Sequence, residues 1–198
     1  MSVSEFRRAL APIAEFLPVL TAEQEAAVAD HIELLLRWNA RINLTSVRKF
    51  EEAVRKHAGE SLFLASHLPP DARCACDLGS GGGFPGIPAA IVRPNWRVTL
   101  LERDVRKSVF LREAARKLPN IAVATNQFEE IPDGFDWLIS RAVNLATIRS
   151  GPRPKHAAVL GGVSLGANTG FIAKYHWRNI EVPWGKGGFL WLGDVRSD

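Results

Sequence analysis

The stretch that decides the fold is Cys76-Asp77-Leu78-Gly79-Ser80-Gly81-Gly82-Gly83-Phe84-Pro85-Gly86. It follows a short apolar run with strand character, residues 73–78, and precedes a helical pattern over residues 85–92. Glycines let the backbone adopt positive φ and pass close to a ligand, and Pro85 suits the first position of a helix. The turn from a first strand into its helix is where open α/β sheets bind ligands. The sequence therefore predicts a ligand-binding loop here.

Outward from this loop, strand and helix patterns alternate. Strands are predicted over residues 73–78, 97–102, 121–125 and 135–140. A helix is predicted to start at Asp104, with one apolar stripe made of Val105, Val109, Leu111, Ala115 and Leu118. This alternation predicts a mostly parallel sheet with helices on both faces. Residues 180–184 and 189–192, joined by a glycine-rich turn, predict an antiparallel hairpin at the C-terminal end.

The first 70 residues are helical in pattern. Helices are predicted over residues 5–20, from the capping box at Thr21 and Gln24 to near Asn43, and over residues 51–67. We expect a single domain over residues 1–198, with residues 1–70 as a helical cap and residues 71–198 as a Rossmann-like α/β core. No linker or internal repeat divides it.

Composition narrows the class of protein. The chain has 198 residues, of which 46% are hydrophobic and 23% are charged, as in soluble globular proteins. No apolar run approaches the roughly 20 residues of a membrane span, and the first residues do not resemble a secretory signal. Cys74 and Cys76 are too few for a four-cysteine zinc site. We expect a cytoplasmic monomer with no metal and no membrane association.

The charge distribution favours an anionic partner. The formal net charge is +4, and residues 71–198 carry 17 Lys and Arg against 12 Asp and Glu. A polyanion such as RNA fits this balance, although the excess of charge is small.

Two nucleotide-binding patterns overlap in the loop. Residues 81–86 satisfy G-x-G-x-x-G, which is typical of NAD or FAD sites. Asp77, Gly79, Gly81 and Gly83 form instead an acid followed by alternating glycines, which is typical of Rossmann-like methyltransferases that use S-adenosylmethionine (SAM). In that pattern the acid lies near the methionine amino group, and Glu102, at the end of the second strand, can accept both ribose hydroxyls. The SAM pattern is favoured, and binding of a dinucleotide or of another ligand remains an alternative.

The chain also resembles the RsmG (GidB) family of bacterial methyltransferases, which modify N7 of one guanine in 16S ribosomal RNA. The resemblance covers about residues 20–145. The residues that carry it are Arg37-Trp38-Asn39, Asn43-Leu44-Thr45-Ser46, His57, Ser61, residues 77–88, Lys107, Phe110-Leu111-Arg112, Phe128-Glu129-Glu130 and Ser140-Arg141-Ala142.

This resemblance implies a fold and a site. The fold is that of a class I SAM-dependent methyltransferase, with SAM as cofactor and 16S ribosomal RNA or a small-subunit assembly particle as partner. Arg141 and His57 are the predicted catalytic residues. The predicted SAM-binding residues, from the motif and the resemblance together, are Asp77, Gly79, Gly81, Phe84, Glu102, Phe128, Glu129 and Arg141.

Some residues depart from the family pattern. Glu60 replaces an Asp, Gln127 replaces a common Arg, and the Lys-Gly expected near the fifth strand is absent around Ser164-Leu165-Gly166. The region from Ser150 to Tyr175 matches poorly.

The sequence is consistent with N7 as the methylated atom. Guanine N7 has an exposed lone pair and no proton, so its methylation needs positioning and no general base. Enzymes that methylate exocyclic amines usually carry Pro-Pro and an aromatic residue after the fourth strand, where this chain has Ser140-Arg141-Ala142-Val143.

Alternatives remain at this level. The resemblance favours a role for Arg141 at SAM or the target guanine, and the alternative is an ion pair with Asp136 or Glu129. The protein as a whole can be a methyltransferase for another RNA or a small molecule, a nucleotide-binding module without catalysis, or a dinucleotide enzyme.

Overall fold

The computed structural model describes residues 2–130, 134–148, 150–166 and 170–196. Its strands form one seven-stranded sheet in the order β3-β2-β1-β4-β5-β7-β6. Strands β1 to β5 are parallel to one another, and β7 is antiparallel to both β5 and β6. The bounds are β1 Cys74–Leu78, β2 Arg97–Leu101, β3 Ile121–Ala124, β4 Trp137–Arg141, β5 His156–Gly161, β6 Tyr175–Glu181 and β7 Phe189–Val195.

The predicted helical cap is present. Its helices are α1 Val3–Leu10, α2 Ala22–Asn39, α3 Phe50–Ala53 and α4 Glu60–Ser66. A 3₁₀ turn, Ala11–Phe16, follows α1 at Pro12, and the Thr21–Gln24 capping box starts α2 as predicted. A π-helical segment, Val54–Gly59, joins α3 to α4. The core adds α5 Gly86–Val92 and α6 Val105–Ala114.

Cap and sheet share one apolar cluster. It includes Phe6 from α1, Leu35 from α2, Leu62 from α4, Leu100 from β2 and Leu190 from β7. Cap and sheet therefore pack together, and a single domain over residues 1–198 stays a prediction. Among the residues that the structure describes, no helix is long and apolar enough to cross a bilayer.

The prediction of helices on both sheet faces is wrong for the described residues. The cap helices, α5 and α6 pack against one another and over one face. The other face is covered by side chains of short 3₁₀ turns and loops, including Phe128, Leu145, Phe171 and Ile172. The described segments after β3, β4 and β5 contain too few residues with helical apolar spacing to form a longer helix.

Three details of the sequence prediction also need correction. The residue pattern did not locate β5, because its Ala- and Gly-containing sequence has weak strand propensity; the resemblance placed a fifth strand near Ser164, and the observed strand ends at Gly161. The hairpin is confirmed, but its first strand is β6, Tyr175–Glu181, which ends before Pro183. Leu111 and Ala115 are buried as predicted, but Val105 and Val109 are 66% and 48% exposed, because Ser108 and Phe110 complete the buried face of α6 instead.

Candidate functional site

The glycine loop lies at the carboxyl end of β1, as predicted. Gly79, Gly81 and Gly83 have φ values of +69°, +52° and +84°. The backbone N–H groups of Gly79 and Ser80 both donate to the carbonyl of Leu101 at the end of β2, at 2.9 and 3.0 Å. A methyl group on Gly79 would lie 2.6 Å from Val143 Cγ2. Glycine is therefore required at this position for both conformation and space.

Glu102 holds the loop from the side of β2. Its side chain is nearly buried, its Oε2 accepts from the N–H of Gly81 at 3.0 Å, and its Oε1 accepts from the N–H of Asp104 at 2.9 Å. A carboxylate has about four lone-pair positions, so two remain for further donors. This geometry is compatible with the predicted bonds to ribose hydroxyls.

Asp77 holds the loop from below. It is fully buried, and its Oδ2 accepts from the N–H of Gly86 at 3.0 Å, at the start of α5. Its Oδ1 has no hydrogen-bond partner among the described residues. Burial raises the pKa of this carboxyl to about 7. Its proximity to a methionine amino group stays a prediction.

His31 and Phe84 complete the packing of the loop. His31, buried on α2, donates from Nε2 to the carbonyl of Gly82 at 2.9 Å. The Phe84 ring lies between two imidazoles, with centroids 4.6 Å from His31 and 5.0 Å from His57. Sequence analysis missed His31, because a lone histidine on a helix carries no local signal for contact with a distant loop.

One cavity opens at this loop, and a second cavity adjoins it. The loop cavity, about 230 Å³, is lined by Leu35, Leu44, Thr45, His57, residues 79–82, Phe84, Arg141, Ala142 and Val143. The cap cavity, about 490 Å³, lies between the cap and the sheet and adds Lys56, Glu60, Leu160, Val182 and Phe189 among others. Thr45, His57, Arg141 and Ala142 line both cavities and form their common edge.

The predicted catalytic residues meet at this edge. Arg141 ends β4, and its Nη1 donates to His57 Nδ1 at 2.8 Å. Its Nε donates to Glu60 Oε2, also at 2.8 Å. Arg141 thus pairs with Glu60 rather than with Asp136 or Glu129.

The bond from Arg141 fixes the protonation of His57. A guanidinium can only donate, so Nδ1 of His57 accepts and its Nε2 carries the proton. His57 Nε2 lies 2.8 Å from Thr45 Oγ1, to which it donates. Burial and the neighbouring Arg141 lower the pKa of His57 to about 3, so the ring is neutral at physiological pH.

Asn39 positions the segment that carries Thr45. Its side-chain oxygen accepts from the N–H groups of Leu44 and Thr45, at 2.9 and 3.0 Å, and its amide donates to the Thr45 carbonyl at 2.8 Å. Asn39 therefore orders the segment beside the site. Sequence analysis gave no role to Thr45 or Glu60, whose only signal was their place in the family pattern.

Three other residues lie apart from the cavities. Phe128 is buried on the opposite sheet face, with its ring centroid 6.1 Å from that of Phe171, and Glu129 beside it is exposed. Neither lines the loop cavity, and their predicted contact with SAM stays a prediction. Asp77 and Glu102 do not line it either, but both hydrogen-bond to its glycine loop. Ser61 is fully buried and donates to the carbonyl of His57, so it supports the helix.

The sheet order, the glycine loop and the acid after β2 together define a Rossmann-like methyltransferase fold of class I. Comparison with known families makes the assignment specific. The model of the GidB family, described as rRNA small subunit methyltransferase G, matches residues 24–149. The chain belongs to this family.

Individual relatives agree with the assignment. The ribosomal RNA small subunit methyltransferase G of Burkholderia vietnamiensis is 42% identical over 134 residues, which are 63% of this chain and 58% of that protein. The protein of the same name from Chromobacterium violaceum is 38% identical over 146 residues, 72% of this chain and 68% of that protein. The chain thus matches less than two thirds of the length of the Burkholderia protein.

Solved structures agree on the fold. A SAM-dependent methyltransferase from Aquifex aeolicus superposes with a TM-score of 0.54 at 15% identity, covering 73% of this chain and 93% of that one. The mitomycin 7-O-methyltransferase MmcR gives a TM-score of 0.60 at 17% identity, covering 88% of this chain and 66% of that one.

The buried carboxyl of Asp77 predicts a pH-dependent stability. Its folded pKa, about 7, is above its ordinary value of 3.8, so the folded protein binds this proton more tightly than the unfolded chain. This contribution is fully present below about pH 4 and is lost as the pH rises through about 7. Asp77→Asn keeps the acceptor for Gly86 and cannot titrate. The free energy of unfolding is measured with urea at pH 4 and pH 8. Between these two pH values, that of Asp77→Asn should rise relative to wild type by up to about 4 kcal/mol. An equal difference at both pH values would contradict the raised pKa.

Proposed function

We propose that this protein transfers a methyl group from SAM to N7 of a guanine in 16S ribosomal RNA. The observation that carries the proposal is the pair of adjoining cavities. One contains the glycine loop of a methyltransferase fold, and the other opens beside it with room for an acceptor base. Methyl transfer requires donor and acceptor to meet across a short distance, and the common edge of the two cavities supplies that place.

The residues around the loop cavity fit SAM. Gly79 and Gly81 line this cavity with backbone alone, and Phe84 supplies an apolar wall. Glu102 keeps lone pairs for the ribose hydroxyls, and Arg141 offers further N–H groups at the common edge. When bound, SAM supplies an electrophilic methyl group on its sulfonium sulfur.

Guanine N7, the proposed methyl acceptor, carries no proton that a base would have to remove. The N7 lone pair forms a new N–C bond while the S–C bond breaks, which leaves S-adenosylhomocysteine and a positively charged N7-methylguanine. His57 is neutral, and both of its ring nitrogens are engaged in hydrogen bonds. We propose that His57 and Arg141 act by positioning the reactants, and that neither serves as a general base.

The proposed partner is 16S ribosomal RNA, free or within a small-subunit assembly particle, and the proposed working form is a cytoplasmic monomer. α6 and the turn after it present Lys107, Arg112 and Arg116, of which the last two are exposed. Arg112 bonds the Thr125 hydroxyl at 2.7 Å and keeps other N–H groups for phosphate.

Cofactor choice is tested by calorimetry with SAM, S-adenosylhomocysteine and NAD. Glu102→Gln should weaken SAM binding by about 1–3 kcal/mol, because the ribose hydroxyls lose a charged acceptor. Glu113→Gln, on the exposed side of α6, is the matched control and should bind SAM as wild type does. Heat with NAD and none with SAM would overturn the proposed cofactor.

The methylated atom is tested by chemical cleavage. RNA treated with the protein and SAM should become sensitive to borohydride and aniline at one guanine, because N7-methylguanine opens under these reagents. The same RNA with 7-deazaguanine at that position has no N7 and should take up no methyl group. A methyl group found on an adenine amine or a pyrimidine carbon would refute the assignment.

A further inference from the structure

Thr45 lies at the common edge of the two cavities. It lines both of them, beside His57 and Arg141. It belongs to the segment after α2, and Asn39 holds its backbone on both sides, through the N–H and the carbonyl of the same residue. The position of its side chain is therefore set by the cap.

The hydroxyl of Thr45 already accepts two hydrogen bonds. One comes from His57 Nε2 at 2.8 Å, and the other comes from the N–H of Val47 at 3.1 Å. A hydroxyl has two lone pairs and one proton, so both acceptor positions are filled. Among the described residues, no acceptor lies within bonding distance of the remaining proton. Thr45 Oγ1 can therefore act toward a ligand only as a donor.

The donor character of Thr45 depends on residues remote in sequence. Glu60 orients Arg141, the guanidinium of Arg141 forces Nδ1 of His57 to accept, and His57 must then donate to Thr45. Each step follows from the fixed charge of Arg141, which is always a donor. The direction of all three hydrogen bonds is thus determined by one side chain.

We propose that Thr45 is a specificity-determining residue, whose hydroxyl donates a hydrogen bond to O6 of the guanine that is methylated. This inference rests on the proposed function. Guanine presents N7 and O6 on one edge, and both are acceptors. When N7 faces the methyl group of SAM across the common edge, O6 lies beside N7. There O6 can accept a hydrogen bond from the Thr45 hydroxyl.

The same arrangement rejects adenine. Adenine presents its N6 amino group where guanine has O6, and that group needs an acceptor. Thr45 has none to offer, because His57 and Val47 occupy both lone pairs. Adenine would therefore leave two donors facing each other, and an unpaired buried donor is costly.

The test compares two RNAs and four proteins, which are wild type, Thr45→Val, Thr45→Ser and His57→Gln. One RNA carries guanine at the methylated position, and the other carries 2-aminopurine, which keeps N7 and lacks O6. Thr45→Val removes the hydroxyl at nearly equal volume, and Thr45→Ser keeps it. The kcat/KM for RNA and the KM for SAM are measured in each combination.

Wild type and Thr45→Ser should prefer the guanine RNA. Thr45→Val should lose roughly 10- to 100-fold in kcat/KM on the guanine RNA, as expected for one lost hydrogen bond to a buried acceptor. On the 2-aminopurine RNA its loss should be at least about 5-fold smaller, because there the N–H groups of His57 and Val47 lose their acceptor but no contact with the base is lost, and the KM for SAM should be unchanged. His57→Gln should keep the guanine preference, because its amide can accept from Arg141 and donate to Thr45.

A purely structural role for Thr45 would lower activity equally on both RNAs, and that result overturns the inference. So does a Thr45→Val protein that keeps the full preference for guanine. A wild-type protein that methylates no guanine N7 refutes the proposed function itself, and the inference with it. The wild-type reaction with the guanine RNA separates that failure from the other two.

Discussion

The site depends on the hydrogen bond from Arg141 to His57. Arg141 belongs to the sheet and His57 to the cap, so this bond, together with the ion pair to Glu60, joins the two parts where the cavities meet. His57 lies in the π-helical segment 54–59, a kind of distortion that is frequent at functional sites. Since a guanidinium cannot lose its proton, its neighbours must accept hydrogen bonds from it. The direction of the hydrogen bonds along the common edge follows from this.

The glycine loop is held by the cap, the end of β2 and the end of β1. His31 bonds the carbonyl of Gly82, Glu102 bonds the N–H of Gly81, and Asp77 bonds the N–H of Gly86. Burial of Asp77 costs stability whenever the carboxyl is ionised, because the charged form is removed from water. In return, a glycine-rich loop with few side chains of its own is held in one conformation. Such preorganisation reduces the conformational entropy lost when a ligand binds.

Local features of the sequence were enough to predict the loop, the helical cap, four strands and the terminal hairpin. The spacing of Gly79, Gly81 and Gly83 determines backbone shape within a few residues, and the family model confirms the resemblance. The residue pattern did not locate β5, because a strand that contains two alanines and a glycine has only weak strand preference. The pairing of Arg141 with Glu60 and His57 joins residues 81 and 84 positions apart, which no local pattern reveals. The prediction of helices on the second face was wrong for the described residues. It extended the alternation of strands and helices past β3, where the described connections form only short 3₁₀ turns.

The state of the His57 ring can be read directly by ¹⁵N–¹H NMR of the imidazole nitrogens, with His57→Gln to assign its signals. A neutral ring with the proton on Nε2, and no titration between about pH 5 and 8, is the expected result. It would show that Arg141 and burial determine the polarity of the edge on which Thr45 acts. A midpoint near the ordinary histidine value of about 6.5, or a proton on Nδ1, would contradict it.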